Sequence, residues 1–195
     1  MRGGLRVDAS AYLEAAGKAR ETRTGARGRL PVRAGDETKE ARVSGKESVA
    51  IVVDAFKAVE QRDEQRLFEL YHPEVEFHWT PSLPFGGTTR RGVKDRPGPS
   101  WSEVWNPLQP TEAERRMDPR VVAATEKEVV VHWHQRALSP SGERFDGEAL
   151  GLYGVRDGKF ARAQMFYFDA IAVQRFLAAA EAVAGRLAGG GTRTR

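Results

Sequence analysis

The stretch from Glu128 to Asp169 constrains the fold more than any other part of the chain. EVVVHWHQRALS (Glu128–Ser139) is dense in β-branched and aromatic residues, the types that fit a pleated, half-buried surface. Ser139-Pro140-Ser141-Gly142 then turns the chain. FDGEALGLYGVRDGKFARAQMFYFD (Phe145–Asp169) reads as two more strands joined by Asp157-Gly158. That dipeptide suits a two-residue hairpin, whose turn needs positive φ at both positions. With RVVAAT (Arg120–Thr125) ahead of it, the segment predicts a run of antiparallel strands. An Ala-rich amphipathic helix over Ala170–Leu187 closes the run, and GGGTRTR is a free end.

Helical spacing dominates upstream. Val49, Ile51, Val52, Val53, Phe56 and Val59 recur on one face, then Leu67, Phe68, Leu70 and Tyr71, with Gln61-Arg62-Asp63 between. This predicts a long helix and a short one, the second capped by Asp63. In EVEFHWT (Glu74–Thr80), Val75, Phe77 and Trp79 alternate with Glu76, His78 and Thr80, which is a strand with one buried face. Pro81, Pro84, Gly86 and Gly87 make a loop. Residues 88–118 are rich in charge, Pro and Trp, with a short helical turn over Ser100–Trp105. Helices gathered on one face of a curved antiparallel sheet make an α+β fold with a concavity between the layers, where a small ligand would sit.

Composition removes several functions. The 195 residues include no cysteine, so disulfides, thiolate metal sites and cysteine nucleophiles are excluded. MRGGLRVDAS lacks the apolar stretch of a secretory signal, and no window approaches the ~18 apolar residues of a membrane span. A cytoplasmic, soluble protein without membrane partners is expected. The net charge of +4 resides in residues 1–45, which hold 10 Lys/Arg and 6 Asp/Glu; the remainder has 21 bases against 21 acids. A neutral globular part argues against a face that tracks phosphates, so nucleic acid is not an expected partner. Three segments result: a flexible basic arm over 1–45, with a short helix possible at Asp8–Ala19, one domain over 46–188, and a disordered tail over 189–195.

The words FKAVEQRDEQRLFELYHPEVEFHWTP, LPFGGTTRRG and GLYGVRDGKFARAQMFYFD, in this order, resemble the SnoaL-like branch of the nuclear transport factor 2-like superfamily. The resemblance runs from about Glu47 to Leu177 and implies a cone-shaped sheet packed on N-terminal helices and enclosing a pocket. That superfamily hosts isomerases, cyclases, epoxide hydrolases, dehydratases and pure binding domains, so the fold alone does not give the activity. The resemblance also implies site residues. In limonene-epoxide-hydrolase-like members a Tyr-Phe-Asp at the end of the last strand carries the general base, which here falls on Tyr167-Phe168-Asp169. The paired polar residues of a middle strand fall on His132 and His134. The span from Asp157-Gly158 to Asp169 is one residue longer than the usual spacing, which points to a bulge. The hydrolase's Arg-then-Asp pair is replaced by two histidines, which moves the pattern from epoxide hydrolysis toward cyclase-like chemistry.

His132 and His134, two apart on a strand, share one face of the sheet. If that face is the inner one, Asp169 would remove a proton next to a carbonyl and a histidine or Tyr167 would stabilise the enolate. Phe77, Trp79, Phe85, Trp101, Trp105 and Phe166 are then available as the apolar wall for a polycyclic or terpenoid ligand. The opposite parity stays open: Val129, Val131, Trp133 and Gln135 form the other and more apolar face, and if they are core the histidines lie outside. Asp169 can equally cap the final helix. A metal is not expected, because no carboxylate follows His132 and His134 at ligand spacing and no His-Glu-x-x-His helix exists. No Gly-rich loop opens a helix after a strand and no Gly-x-Ser-x-Gly occurs, so neither a nucleotide cofactor nor an acyl-enzyme is expected. The candidates are a cofactor-free acid–base enzyme of cyclase or isomerase type, or a non-catalytic binding domain of the same fold. A homodimer is expected by resemblance, through Trp133, Val129 and Val131 should the histidines face inward.

Overall fold

The computed structural model describes residues 45–189. The segments expected as a basic arm, with a short helix possible at Asp8–Ala19, and as a tail fall outside them, apart from Gly45 and Gly189, which lie in the first and last helices. Helix α1 (Gly45–Gln61) buries Ser48, Val52, Ala55 and Phe56, the i, i+4, i+7, i+8 stripe of an amphipathic helix. Arg62, with φ 57, ends it. Asp63 caps α2 (Glu64–Leu70) by accepting from the Arg66 N–H at 2.9 Å. The Ser48 hydroxyl donates to the Thr125 carbonyl at 2.7 Å and ties α1 to the far edge of the sheet.

Strand β1 (Tyr71–Trp79) begins three residues earlier than its alternation predicts. The loop that follows contains β2 (Gly87–Arg90) and β3 (Val93–Lys94), then the one-turn helix α3 (Trp101–Trp105) and α4 (Glu112–Arg115). Strands β4 (Arg120–Ala124), β5 (Glu128–Leu138), β6 (Arg144–Arg156) and β7 (Lys159–Tyr167) come next, and α5 (Ala170–Gly189) ends the fold. The sheet order is β3-β2-β1-β7-β6-β5-β4. Every neighbouring pair is antiparallel except β1 and β7, which run parallel, so the sheet is mixed at one seam.

The Asp157-Gly158 hairpin forms as its turn chemistry predicts, with φ 52 and 67. The bulge lies near it. Val155 pairs with Phe160 and Gly154 with Arg162, so β7 carries one extra residue at Ala161. That residue lets both Phe160 and Ala163 turn inward. One face of the curved sheet packs on α1, where Phe56 meets Trp133 and Tyr153 edge-on at 6.1 and 5.5 Å. Helix α5 packs on the start of β6, with Phe176 stacked on Phe145 at 4.9 Å.

Candidate functional site

The face of β5 that packs on α1 carries Val129, Val131, Trp133, Gln135 and Ala137, all buried. His132 and His134 therefore project from the opposite face, and the structure does not bring them to the interior. The pairing patch expected from Trp133, Val129 and Val131 is likewise core, with Trp133 only 2 % exposed. The physical cause is long-range. Burying the larger apolar set of β5 against Phe56 and Tyr167 stabilises that parity, and it leaves the imidazoles beside acids. His134 Nδ1 lies 2.7 Å from Asp146, and His132 Nε2 lies 3.7 Å from Glu148. Asp146 also accepts from Arg136 at 3.0 Å. Burial tends to raise its carboxyl, but the bonds from His134 and Arg136 outweigh that and hold it below its ordinary range. His78 shares this outer face and sits 3.1 Å from Glu76, while His72 lies at the sheet end against Arg156.

Asp169 also stands outside the interior. It is exposed and its Oδ1 accepts the Ala172 N–H at 2.8 Å, so it caps α5. Phe166 projects outward from β7 and is 45 % exposed, so it is not part of an inner wall. Tyr167, one residue on, turns inward and lies edge-on to Trp133 at 5.9 Å and to Phe85 at 6.3 Å.

Between α1 and the inner sheet face lies a cavity of about 130 Å³. Ala55, Phe56 and Val59 of α1 form its roof, and Phe77, Trp79, Trp133, Tyr153, Phe160, Ala163 and Met165 of the sheet form its floor. Trp101, Met117 and Tyr71 complete the lining. Of the residues expected as a ligand wall, Phe77, Trp79 and Trp101 line this cavity, while Phe85 and Trp105 are buried in the core and do not. Phe77 and Trp79, two apart on β1, stack at 6.2 Å. Trp101 adds a third plane, 6.0 Å from Trp79. It is set there by α3, whose start is held by a capping box between Ser100 and Glu103. A depression at the β4–β5 turn, lined by Thr125–Glu128 and Gly154, is open to solvent and offers no enclosed surface.

The polar groups around the cavity are neutral. Burial pushes the phenols of Tyr71, Tyr153 and Tyr167 well above their ordinary range, so they stay protonated. The indole N–H of Trp133 lies beside Tyr153, and that of Trp101 beside Tyr167, close enough to oppose the shift slightly. Neither pair reaches bonding geometry, so both N–H groups and the Tyr167 hydroxyl are buried without a protein partner. None of the lining residues carries a carboxylate or an imidazole. Among the described residues no group of three or more His, Asp or Glu is placed to hold a metal ion, and no helix is long and apolar enough to cross a membrane.

Sequence spacing did not reveal Tyr153, Phe160, Met117 or Met165 as lining residues. On β6 both parities are apolar, Ala149, Gly151 and Tyr153 inward against Leu150 and Leu152 outward. One signal was available. The Tyr153 ring folds back over Gly151, where a Cβ would collide with the phenol, so Gly-x-Tyr marks the inward face.

A SnoaL-like domain profile matches residues 52–163, more than half of the chain and most of the described fold. The match ends before Tyr167 and Asp169. No curated protein sequence matches significantly. Among solved structures, TerC co-crystallised with polyporic acid is similar over 67% of this chain and 98% of that one, with 18% identity and a TM-score of 0.54. A cystatin-like-fold protein of unknown function from Xanthomonas campestris matches over 67% and 97%, at 20% identity and a TM-score of 0.52. Bal32a, from a soil-derived mobile gene cassette, matches over 68% and 98%, at 13% identity and a TM-score of 0.50. With the α+β architecture and the curved sheet over N-terminal helices in agreement, the profile match over more than half of its length places this chain in the SnoaL-like domain family.

Proposed function

We propose that this protein binds a small apolar organic molecule in the cavity beneath α1 and does so without acid–base catalysis. The lining carries the reading: it is hydrocarbon, thioether, indole and protonated phenol, with no group that exchanges a proton near neutral pH. Enolisation needs a base within about 3 Å of the carbon acid. Asp169 is engaged with the start of α5, and His132 and His134 stand across the sheet. The volume bears on size. A cavity of about 130 Å³ is close to the engineered cavity of about 150 Å³ that admits benzene. It is below the roughly 300–1,000 Å³ of sites for drug-sized ligands. A single ring fits; the polycyclic or terpenoid ligand expected from the aromatic content would require the site to open.

The catalytic reading keeps one supporting observation, that Asp169 follows the inward Tyr167 by two residues at the end of β7. A thermal-shift screen of single-ring, terpenoid-epoxide and steroid ligands on wild type and Asp169→Asn separates the two. The expected result is that the same small rings stabilise both proteins and are recovered unchanged. Conversion by wild type, lost in Asp169→Asn, would replace binding with acid–base catalysis.

A further inference from the structure

Resting on the binding reading above, we infer that Trp101 is the specificity-determining residue of the cavity: standing at its mouth, it limits the ligand to one ring, and its removal admits two fused rings. The lining divides by exposure. Phe56, Trp133, Tyr153, Phe160 and Met165 are buried at the deep end. Val59, Tyr71, Phe77, Trp79 and Trp101 are half-buried, so the cavity meets solvent among these five. Four of them stand on the frame of the fold. Val59 belongs to α1, and Tyr71, Phe77 and Trp79 belong to β1, which pairs with β2 on one side and β7 on the other. Trp101 instead begins α3, the one-turn helix on the connection between β3 and β4.

Among the described residues, the hydrogen bonds of Ser100–Trp105 stay within that turn and its cap, as in the Val104 N–H to the Ser100 carbonyl at 3.3 Å and the Ser100–Glu103 box. What seats the turn is its two indoles, one helical turn apart on the same face. Trp105 is the anchor: it is 0 % exposed, stacked on Phe176 at 6.5 Å and edge-on to Phe85 at 6.2 Å. Trp101 is held over the mouth by its stack on Trp79, at 6.0 Å and 14°. No hydrogen bond fixes its ring. Truncating Trp101 therefore breaks one stacked pair and leaves the anchor and the paired strands in place. The space of about 130 Å³ holds one ring, and withdrawing a bicyclic indole from its rim makes room for another.

Acetophenone and 2-acetonaphthone carry the same methyl ketone and differ by one fused ring. Isothermal titration calorimetry on the full chain should give wild type a Kd for acetophenone about tenfold or more below that for 2-acetonaphthone, the scale on which overfilling a packed apolar site is felt. Trp101→Ala should reverse the order, binding 2-acetonaphthone about tenfold more tightly than wild type does and acetophenone more weakly. Should Trp101→Ala fail to fold by circular dichroism, Trp101→Leu, which keeps an apolar side chain on the turn, carries the comparison. An unchanged order in a folded variant overturns the assignment to Trp101 and leaves the cavity as a binding site. Equal affinity of wild type for the two ketones overturns the size limit, again with the site intact. Absence of acetophenone binding by wild type overturns this inference together with the reading it rests on.

Discussion

Replacing Trp133 by Ala tests the orientation of β5 and everything built on it. The side chain is 2 % exposed and meets Phe56 and Tyr167 edge-on at 6.1 and 5.9 Å. A buried Trp removes some 150–250 Å² from water. At ~25 cal/mol per Å² that is about 4–6 kcal/mol, an upper bound because an extended reference chain overstates burial. Two terms lower it. Trp133 already borders a cavity and so lacks contacts on one side, and removing its unpaired N–H returns about 1 kcal/mol or more. The net expectation is a loss of about 3–4 kcal/mol, within the range for large-to-small core substitutions. His132→Ala, on the outer face and 3.7 Å from Glu148, should cost under about 1 kcal/mol, as for a partly exposed ion pair. Urea unfolding followed by circular dichroism measures both, with m unchanged. A loss below 1 kcal/mol for Trp133→Ala together with more than 2 kcal/mol for His132→Ala would refute the reasoning, since it means the strand faces the other way.

Three further outcomes are expected. Burial raises the phenol pKa of Tyr71, Tyr153 and Tyr167, so the stability tied to their protonated forms is complete below the unfolded value near 10 and is lost as pH climbs toward the raised folded values. Of the four tyrosines, three should therefore show phenolate absorbance at 295 nm only as the fold is lost; two or more titrating reversibly near pH 10 with intact circular dichroism contradicts this. Asp169→Ala should cost about 0.5–2 kcal/mol through the lost cap and Asp169→Asn only a few tenths, with ligand affinity unchanged in both by calorimetry. The homodimer expected by resemblance would pair through the outer sheet face, where Phe166 and Phe168 are exposed and where Glu148, Asp146 and Arg136 give a patch with both charge signs that suits a second copy of itself. Light scattering should then give a dimer for wild type and a monomer for Phe166→Glu, and a monomeric wild type removes the expectation.

What was legible in the sequence was local. Asp63 and Ser100 announce helix starts through their own side chains, and Asp157-Gly158 announces a hairpin, because caps and turns are decided within a few residues. The β2–β3 hairpin went unread because its turn is Arg91-Gly92, with φ 50 and 78, and arginine seldom takes that conformation. The site was less legible for a different reason. Along Val129–Gln135 both parities carry apolar residues, and the imidazoles of His132 and His134 look functional on either. Contacts with Phe56, 77 positions earlier than Trp133, and with Tyr167 decide which side is core. No spacing rule within β5 encodes them. Asp169 was open between base and cap, and its bond to Ala172 shows the cap.

The cavity can be watched directly through its methionines. The chain has three, Met1, Met117 and Met165, and the last two line the cavity. With ¹³C-methyl methionine, a titration with acetophenone should shift the signals of Met117 and Met165 by the ring current of the bound molecule. Met117→Leu and Met165→Leu assign the peaks. Saturable shifts of both cavity methyls are the result predicted. Binding seen by calorimetry while neither methyl moves would place the ligand elsewhere and contradict the central claim.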